Sequence, residues 1–181
     1  MSWLTRNVIG FLLVLCIPEV AWTQNAVLKI GLDNDILNLP NQTDRYYTNG
    51  LGIAFYHSNL SSSFLDFVLI GGRNADNKLT GLLFEQKIYT PQDIYTSELQ
   101  QFDRPYASTS LLSAKKIAVN SSKNYRLTSS LGLGVIGRYA GGELFQNFIH
   151  GLTVNSENAN GWSHQIKNDL LIDISLASKK E

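Results

Sequence analysis

Residues 125–137 read YRLTSSLGLGVIG, and their order decides the fold. In an extended chain Tyr125, Leu127, Leu131, Leu133 and Val135 fall on one side, and Arg126, Thr128, Ser130, Gly132 and Gly134 on the other. A period of two sustained over thirteen residues is a β-strand with one apolar face. A strand that crosses a bilayer at a tilt needs roughly 9–11 residues, which this segment supplies.

The same period recurs along the chain. Leu28, Ile30 and Leu32 alternate with Lys29 and Gly31, and Leu51, Ile53 and Phe55 with Gly52, Ala54 and Tyr56. Leu65, Phe67 and Leu69 alternate with Asp66, Val68 and Ile70, and Leu82, Phe84 and Ile88 lie opposite Glu85 and Lys87. Residues 106–119 form a more polar strand, and Leu170, Ile172, Ile174 and Leu176 face away from Asp169, Asp173 and Ser175. Clusters rich in Ser, Asn and Gly at 58–63, 71–77 and 120–124 read as turns. About seven antiparallel strands are expected, hence an all-β chain. Alternation alone fits two architectures, a soluble sandwich or lipocalin-like barrel with its apolar face inward, and an outer-membrane barrel with that face toward lipid. Long strands, small or charged residues on the second face, and Tyr and Trp near strand ends favour the membrane barrel.

One segment departs from this period. In GELFQNFIHGL, Leu144, Phe148 and Leu152 recur at helical spacing behind Gly141 and Gly142, predicting a short helix over 141–152. Gln146 and His150 are four apart and share one side of it.

The chain has 181 residues, 44% hydrophobic and 17% charged, with fifteen basic and fifteen acidic side chains. That is one domain's worth of sequence, and the neutral balance lacks the basic clustering that nucleic acid binding needs. Residues 1–24 combine Arg6 with an apolar run over 8–17, a secretory signal peptide in outline, with cleavage near Thr23 or Gln24. The mature domain over 25–181 then has no cysteine and must hold itself by packing or sheet closure, because Cys16 lies in the leader.

Three clusters could carry chemistry. His150 can take a proton near neutral pH, with Gln146 one turn away. Asp33, Asn34 and Asp35 close the first long strand with the oxygen donors a hard cation prefers, though Asn and Asp equally favour a strand end or turn. TDRYYTNG at 43–50 reads as a hairpin loop with interfacial aromatics. There is no G-x-S-x-G elbow, phosphate-binding loop or dinucleotide fingerprint.

Taken in order, a strand ending in Asn34-Asp35, then TDRYYTNG, QKIYTP at 86–91, DRPYA at 103–107, GVIG at 134–137, Gln146 with His150, and GWSHQ at 161–165 resemble the outer-membrane lipid A 3′-O-deacylases. The resemblance implies a barrel of about twelve strands in the outer membrane of a Gram-negative cell. It also implies calcium-dependent hydrolysis of the ester that holds the 3′-linked acyloxyacyl group of lipid A, the substrate carried by lipopolysaccharide. On it His150 would activate water as general base, Asp35 and Asn34 would hold Ca²⁺, and Thr48 and Gln146 would position water, metal or substrate. It also implies export and insertion by the barrel-assembly machinery. Two departures stand out. A lysine that the family places after the T-P pair is not matched, since Pro91 is followed by QDIYTSEL, and the chain stops in LASKKE after about seven strands. An open half-barrel would leave strand edges unpaired in hydrocarbon, so a fragment, or two chains closing one barrel, is expected. The alternative reading is a non-catalytic outer-membrane barrel with a structural or binding role; a soluble ligand-binding sandwich is a third.

Overall fold

The computed structural model describes residues 21–23, 26–34, 49–72, 74–152 and 158–180. They form one antiparallel sheet whose strand order follows the chain. The strands are β1 Ala21–Thr23, β2 Ala26–Asn34, β3 Asn49–His57, β4 Asn77–Tyr89, β5 Ala107–Asn120, β6 Tyr125–Ile136 and β7 Asp169–Lys180. Six of these are strands that the alternation predicts. The three-residue β1 lies in the segment expected to be leader. The remaining expected strand, over 65–70, is instead helical: α1, Phe64–Val68, preceded by a 3-10 turn at Ser58–Ser62.

That correction has a physical cause. A strand needs a free neighbouring edge, and β3 already pairs with β2 and with β4. The segment folds back over the sheet, where the Lys116 ammonium draws in the carbonyls of Asp66, Leu69 and Gly71. A flat strand would turn those carbonyls sideways. The expected helix forms as α2, Gly142–Leu152.

Register places the apolar residues of successive strands on one face. Leu28 lies opposite Phe55, which lies opposite Leu82, and the row continues through Ala114 and Leu131 to Ile174. The other face carries rows such as Lys29, Ala54, Leu83, Ser113, Gly132 and Asp173. A soluble protein would bury the apolar face against a second layer. Here Leu32, Phe55, Leu82, Leu112, Leu133 and Ile174 on that face are exposed, while a small cluster of Val27, Ala54 and Tyr56 with Leu79, Leu83 and Ile117 sits on the mixed face. This is the wall of an outer-membrane barrel, apolar toward lipid and small or polar toward the lumen. Among the described residues β1 and β7 each pair on one side only, so the wall is seen as an open sheet.

The two rims differ. The strand ends at Thr23, Ala26, His57, Asn77, Asn120 and Tyr125 lie at one rim, which carries the tight 121–124 turn and α1; those at Asn34, Asn49, Tyr89, Ala107, Ile136 and Asp169 lie at the other, where the sequence between paired strands is 14, 17 and 32 residues long. In such barrels short turns face the periplasm and long loops the exterior, so the long-loop rim is the outer one.

Candidate active site

At the long-loop rim the strand ends form a row: Asn34 opposite Asn49, Asn49 opposite Ile88, and Ile88 opposite Ser108, with Thr109, Ile136 and Asp169 completing it. The motifs that lie far apart in sequence meet there. Past β6 the chain enters a 3-10 turn at Arg138–Ala140 and then α2, which folds back onto the apolar face of β4 and β5.

Hydrogen bonds fix this cap. Ser108 Oγ donates to the Gly137 carbonyl at 3.1 Å and accepts the Gly142 N–H at 3.2 Å. The Ala140 carbonyl receives Gln86 Nε2 at 2.6 Å and Ser110 Oγ at 2.9 Å. Gly142 is required by contact, since a Cβ there would stand 2.6 Å from Ser108 Oγ and 2.7 Å from Trp162 Cη2. Under the cap lies an apolar cluster of Ile88, Ile94, Tyr106, Ala159 and Trp162, against which Phe145 packs. The Tyr106 and Trp162 rings are 4.7 Å apart, and Tyr106 Oη donates to the Ile94 carbonyl at 2.9 Å. Asp103 of DRPYA holds the adjoining loop by accepting the N–H groups of Gln92 at 2.6 Å and Arg104 at 2.7 Å. The Gln92 bond does most to keep this carboxyl below the usual carboxylate range; burial opposes it, and the Arg104 N–H and guanidinium charge add to the lowering.

Helix α2 is polar inward and apolar outward. Gln146 and His150 are 2% and 3% exposed, whereas Leu144 and Phe148 are 80% and 61% exposed. The indole of Trp162, a donor only, binds Gln146 Oε1 at 2.9 Å and thereby fixes which end of the amide is which. The other end, Gln146 Nε2, is a buried donor without a hydrogen-bond partner among the described residues. Its counterpart is Gln165, whose Nε2 donates to the Trp162 carbonyl at 3.0 Å and whose Oε1 is a buried acceptor without a partner among the described residues. One tryptophan therefore orients two amides, leaving one donor and one acceptor unpaired among the described residues.

Of the sequence-predicted residues, the structure brings Gln146 and His150 together and places Asn34 at the end of β2, in the same rim row as Ile88 and Ser108. Asp35 and Thr48, with the rest of 35–48, lie outside the described residues. No group of three or more His, Cys, Asp or Glu that could hold a metal ion is found among the described residues. The free end of Gln146 is a donor, suited to an oxygen that gains negative charge and not to a cation. Sequence reasoning missed Trp162 and Gln165 as orienting partners, although both stand in the GWSHQ segment, and missed Ser108, which carries no local signal.

The family model described as Outer membrane protein LpxR matches residues 8–181. No curated protein matches the sequence. The solved structure of LpxR from Salmonella typhimurium matches with a TM-score of 0.63 at 21% sequence identity, over 84% of this chain and 50% of that one. The chain thus spans half the length of that protein and shares its fold. With the family model matching nearly end to end and the rim motifs assembled on a lipid-facing wall, the chain belongs to the LpxR family of outer membrane proteins.

Proposed function

We propose that this chain carries active-site residues of a lipid A 3′-O-deacylase, an ester hydrolase that removes the 3′-linked acyloxyacyl chain from lipid A. The observation that supports it most is the oriented amide donor of Gln146, unpaired among the described residues and buried one helical turn from His150 on the lipid side of the outer rim. Lipid A populates the outward leaflet, so its ester would meet this site from the membrane. Leu144 and Phe148, exposed on the other side of α2, would rest among the acyl chains.

On this reading His150 takes a proton from water as the water oxygen attacks the ester carbonyl carbon. Gln146 Nε2 donates to the carbonyl oxygen as it becomes an oxyanion, with its direction held by Trp162. The imidazolium then returns the proton to the departing 3′ oxygen of the sugar, giving a sugar hydroxyl and a free acyloxyacyl acid. Thr48 and Asn34 position water or substrate. Calcium, held by Asp35 and Asn34, would polarise the ester carbonyl when bound. Export by the leader over 1–24 and insertion by the barrel-assembly machinery belong to the same reading.

The test is to produce the protein in outer membranes whose lipid A keeps its 3′ chains, with calcium present, and to read lipid A by mass spectrometry. Loss of the 3′ acyloxyacyl mass, abolished in His150→Ala with heat-modifiable mobility intact, is the expected result. Intact lipid A from a folded, membrane-inserted protein would overturn the catalytic reading in favour of a non-catalytic barrel.

A further inference from the structure

The short-turn rim carries a second covered polar patch on the same apolar face. Thr80, Lys116 and Ser129 form one register row there, and all three are buried. The Lys116 ammonium binds Asp66 Oδ1 at 2.9 Å and the carbonyls of Asp66, Leu69 and Gly71 at 2.7, 3.1 and 2.9 Å. Ser129 Oγ donates to the Ile70 carbonyl at 2.8 Å, and Ser61 Oγ accepts the Thr80 N–H at 3.1 Å. The segment 58–72 is thereby clamped to the wall, with Phe64, Phe67 and Ile70 exposed on its outer side.

Beside this clamp opens a cavity of about 630 Å³. Phe67, Leu69, Tyr125 and Leu127 give it an apolar lining, and Lys78 and Lys123 stand in the same lining. Asp66 is the one acidic residue of that lining; it lies 2.9 Å from Lys116 and 3.9 Å from Lys78, so two of the lining's three lysines meet its single carboxylate. We propose that this cavity binds one anionic glycerophospholipid of the periplasmic leaflet, its phosphate between Lys78 and Lys123 and an acyl chain along Phe67, Leu69 and Leu127.

Three observations select that occupant. The cavity is lined by Lys78, Lys116, Ala118 and Leu127 from the lipid-facing side of the sheet, the face that also carries exposed Leu82, Leu131 and Leu176, so its surroundings are acyl chains. It lies beside the 121–124 turn, at the level of the periplasmic head groups, where that leaflet offers glycerophospholipid. Its lining keeps two positive charges in excess, which matches a phosphodiester at the depth where lysines snorkel to the interface. The proposal is independent of the chemistry at the opposite rim.

Native mass spectrometry of the full chain folded in neutral detergent, titrated with dioleoyl phosphatidylglycerol and with phosphatidylcholine, tests it. Expected is a one-to-one phosphatidylglycerol adduct that inorganic phosphate does not displace. Lys78→Gln/Lys123→Gln should weaken it about tenfold and Phe67→Ala by a smaller factor, while His150→Ala leaves it unchanged. Equal retention of both lipids, displacement by inorganic phosphate, or equal retention by wild type and double variant would overturn the site. Should the double variant lose its strand signal in circular dichroism, Lys123→Gln alone carries the comparison, and unchanged retention there overturns it as well.

Discussion

At each rim a short helix covers polar side chains that the apolar face would otherwise present to lipid: Thr80, Lys116 and Ser129 beside α1, and Gln86, Ser108 and Ser110 under the 138–140 turn and α2. Beside α1 the three side chains all have partners, Lys116 four of them. Around α2 the wall residues are satisfied too, but Gln146 Nε2 and Gln165 Oε1 find no partner among the described residues. A buried polar atom left unpaired costs about 1–3 kcal/mol. The periplasmic patch thus has the finish of a structural clamp and the outer patch the finish of a site that expects a guest. The same construction serves two ends.

The contrast can be broken from the outer end first. His150→Ala should lower deacylation by roughly 10²–10⁴-fold, the usual contribution of a general base, read from the 3′ acyl content of lipid A with unaltered electrophoretic mobility. Gln146→Leu should cost roughly 10²–10³-fold in turnover, as for loss of one oxyanion donor, and about 1–3 kcal/mol in stability, because it also strips the buried Trp162 N–H of its acceptor. Equal deacylation in that variant would remove Gln146 from the chemistry. At the other end Asp66→Ala should act on stability alone. It strips the Lys116 ammonium of its carboxylate and should destabilise the wall by about 3 kcal/mol, the low end for a buried pair because the Asp66 side chain keeps 18% exposure. Urea unfolding reports that loss, with turnover per folded molecule unchanged.

A smaller effect sharpens the orientation argument. Trp162→Phe keeps the aromatic packing on Tyr106 but frees the Gln146 amide to rotate, and a lost hydrogen bond of about 1 kcal/mol should lower turnover several-fold. The smallest effect concerns the loop 90–106. The Asp103 carboxyl titrates below its unfolded value of about 3.9, so its stabilisation is present above that pH and fades as pH falls through the lower folded value. Hydrogen exchange at the Gln92 amide should speed up over that acidic range, and Asp103→Asn should remove the dependence.

Much of this was legible before the structure, for a simple reason. Period-two alternation is local, so the strands around 28–32, 51–56, 82–88, 125–137 and 170–176 follow from neighbouring residues alone. Residues 65–70 show where that logic fails. Their pattern is equally local, but the conformation is set by Lys116, some fifty positions along the chain from Asp66, and by the lack of a free sheet edge. At the candidate site Gln146 and His150 could be named from helical spacing and family resemblance. That the amide's donor end is the free one could not, because it depends on an indole sixteen residues downstream. Nor could the burial of that helical side be read, because a stripe such as Leu144 and Phe148 faces inward in water and outward in lipid.

The placement of α2 against the lipid side of the wall has a kinetic consequence. A cleft on that side is supplied by lateral diffusion within one leaflet, so the quantity that sets its occupancy is a mole fraction per unit area. For the proposed reaction, diluting vesicles in buffer should leave the rate per enzyme unchanged, whereas thinning the substrate with an inert lipid should slow it. Saturation would then be expressed as surface density, with no meaning as a bulk concentration.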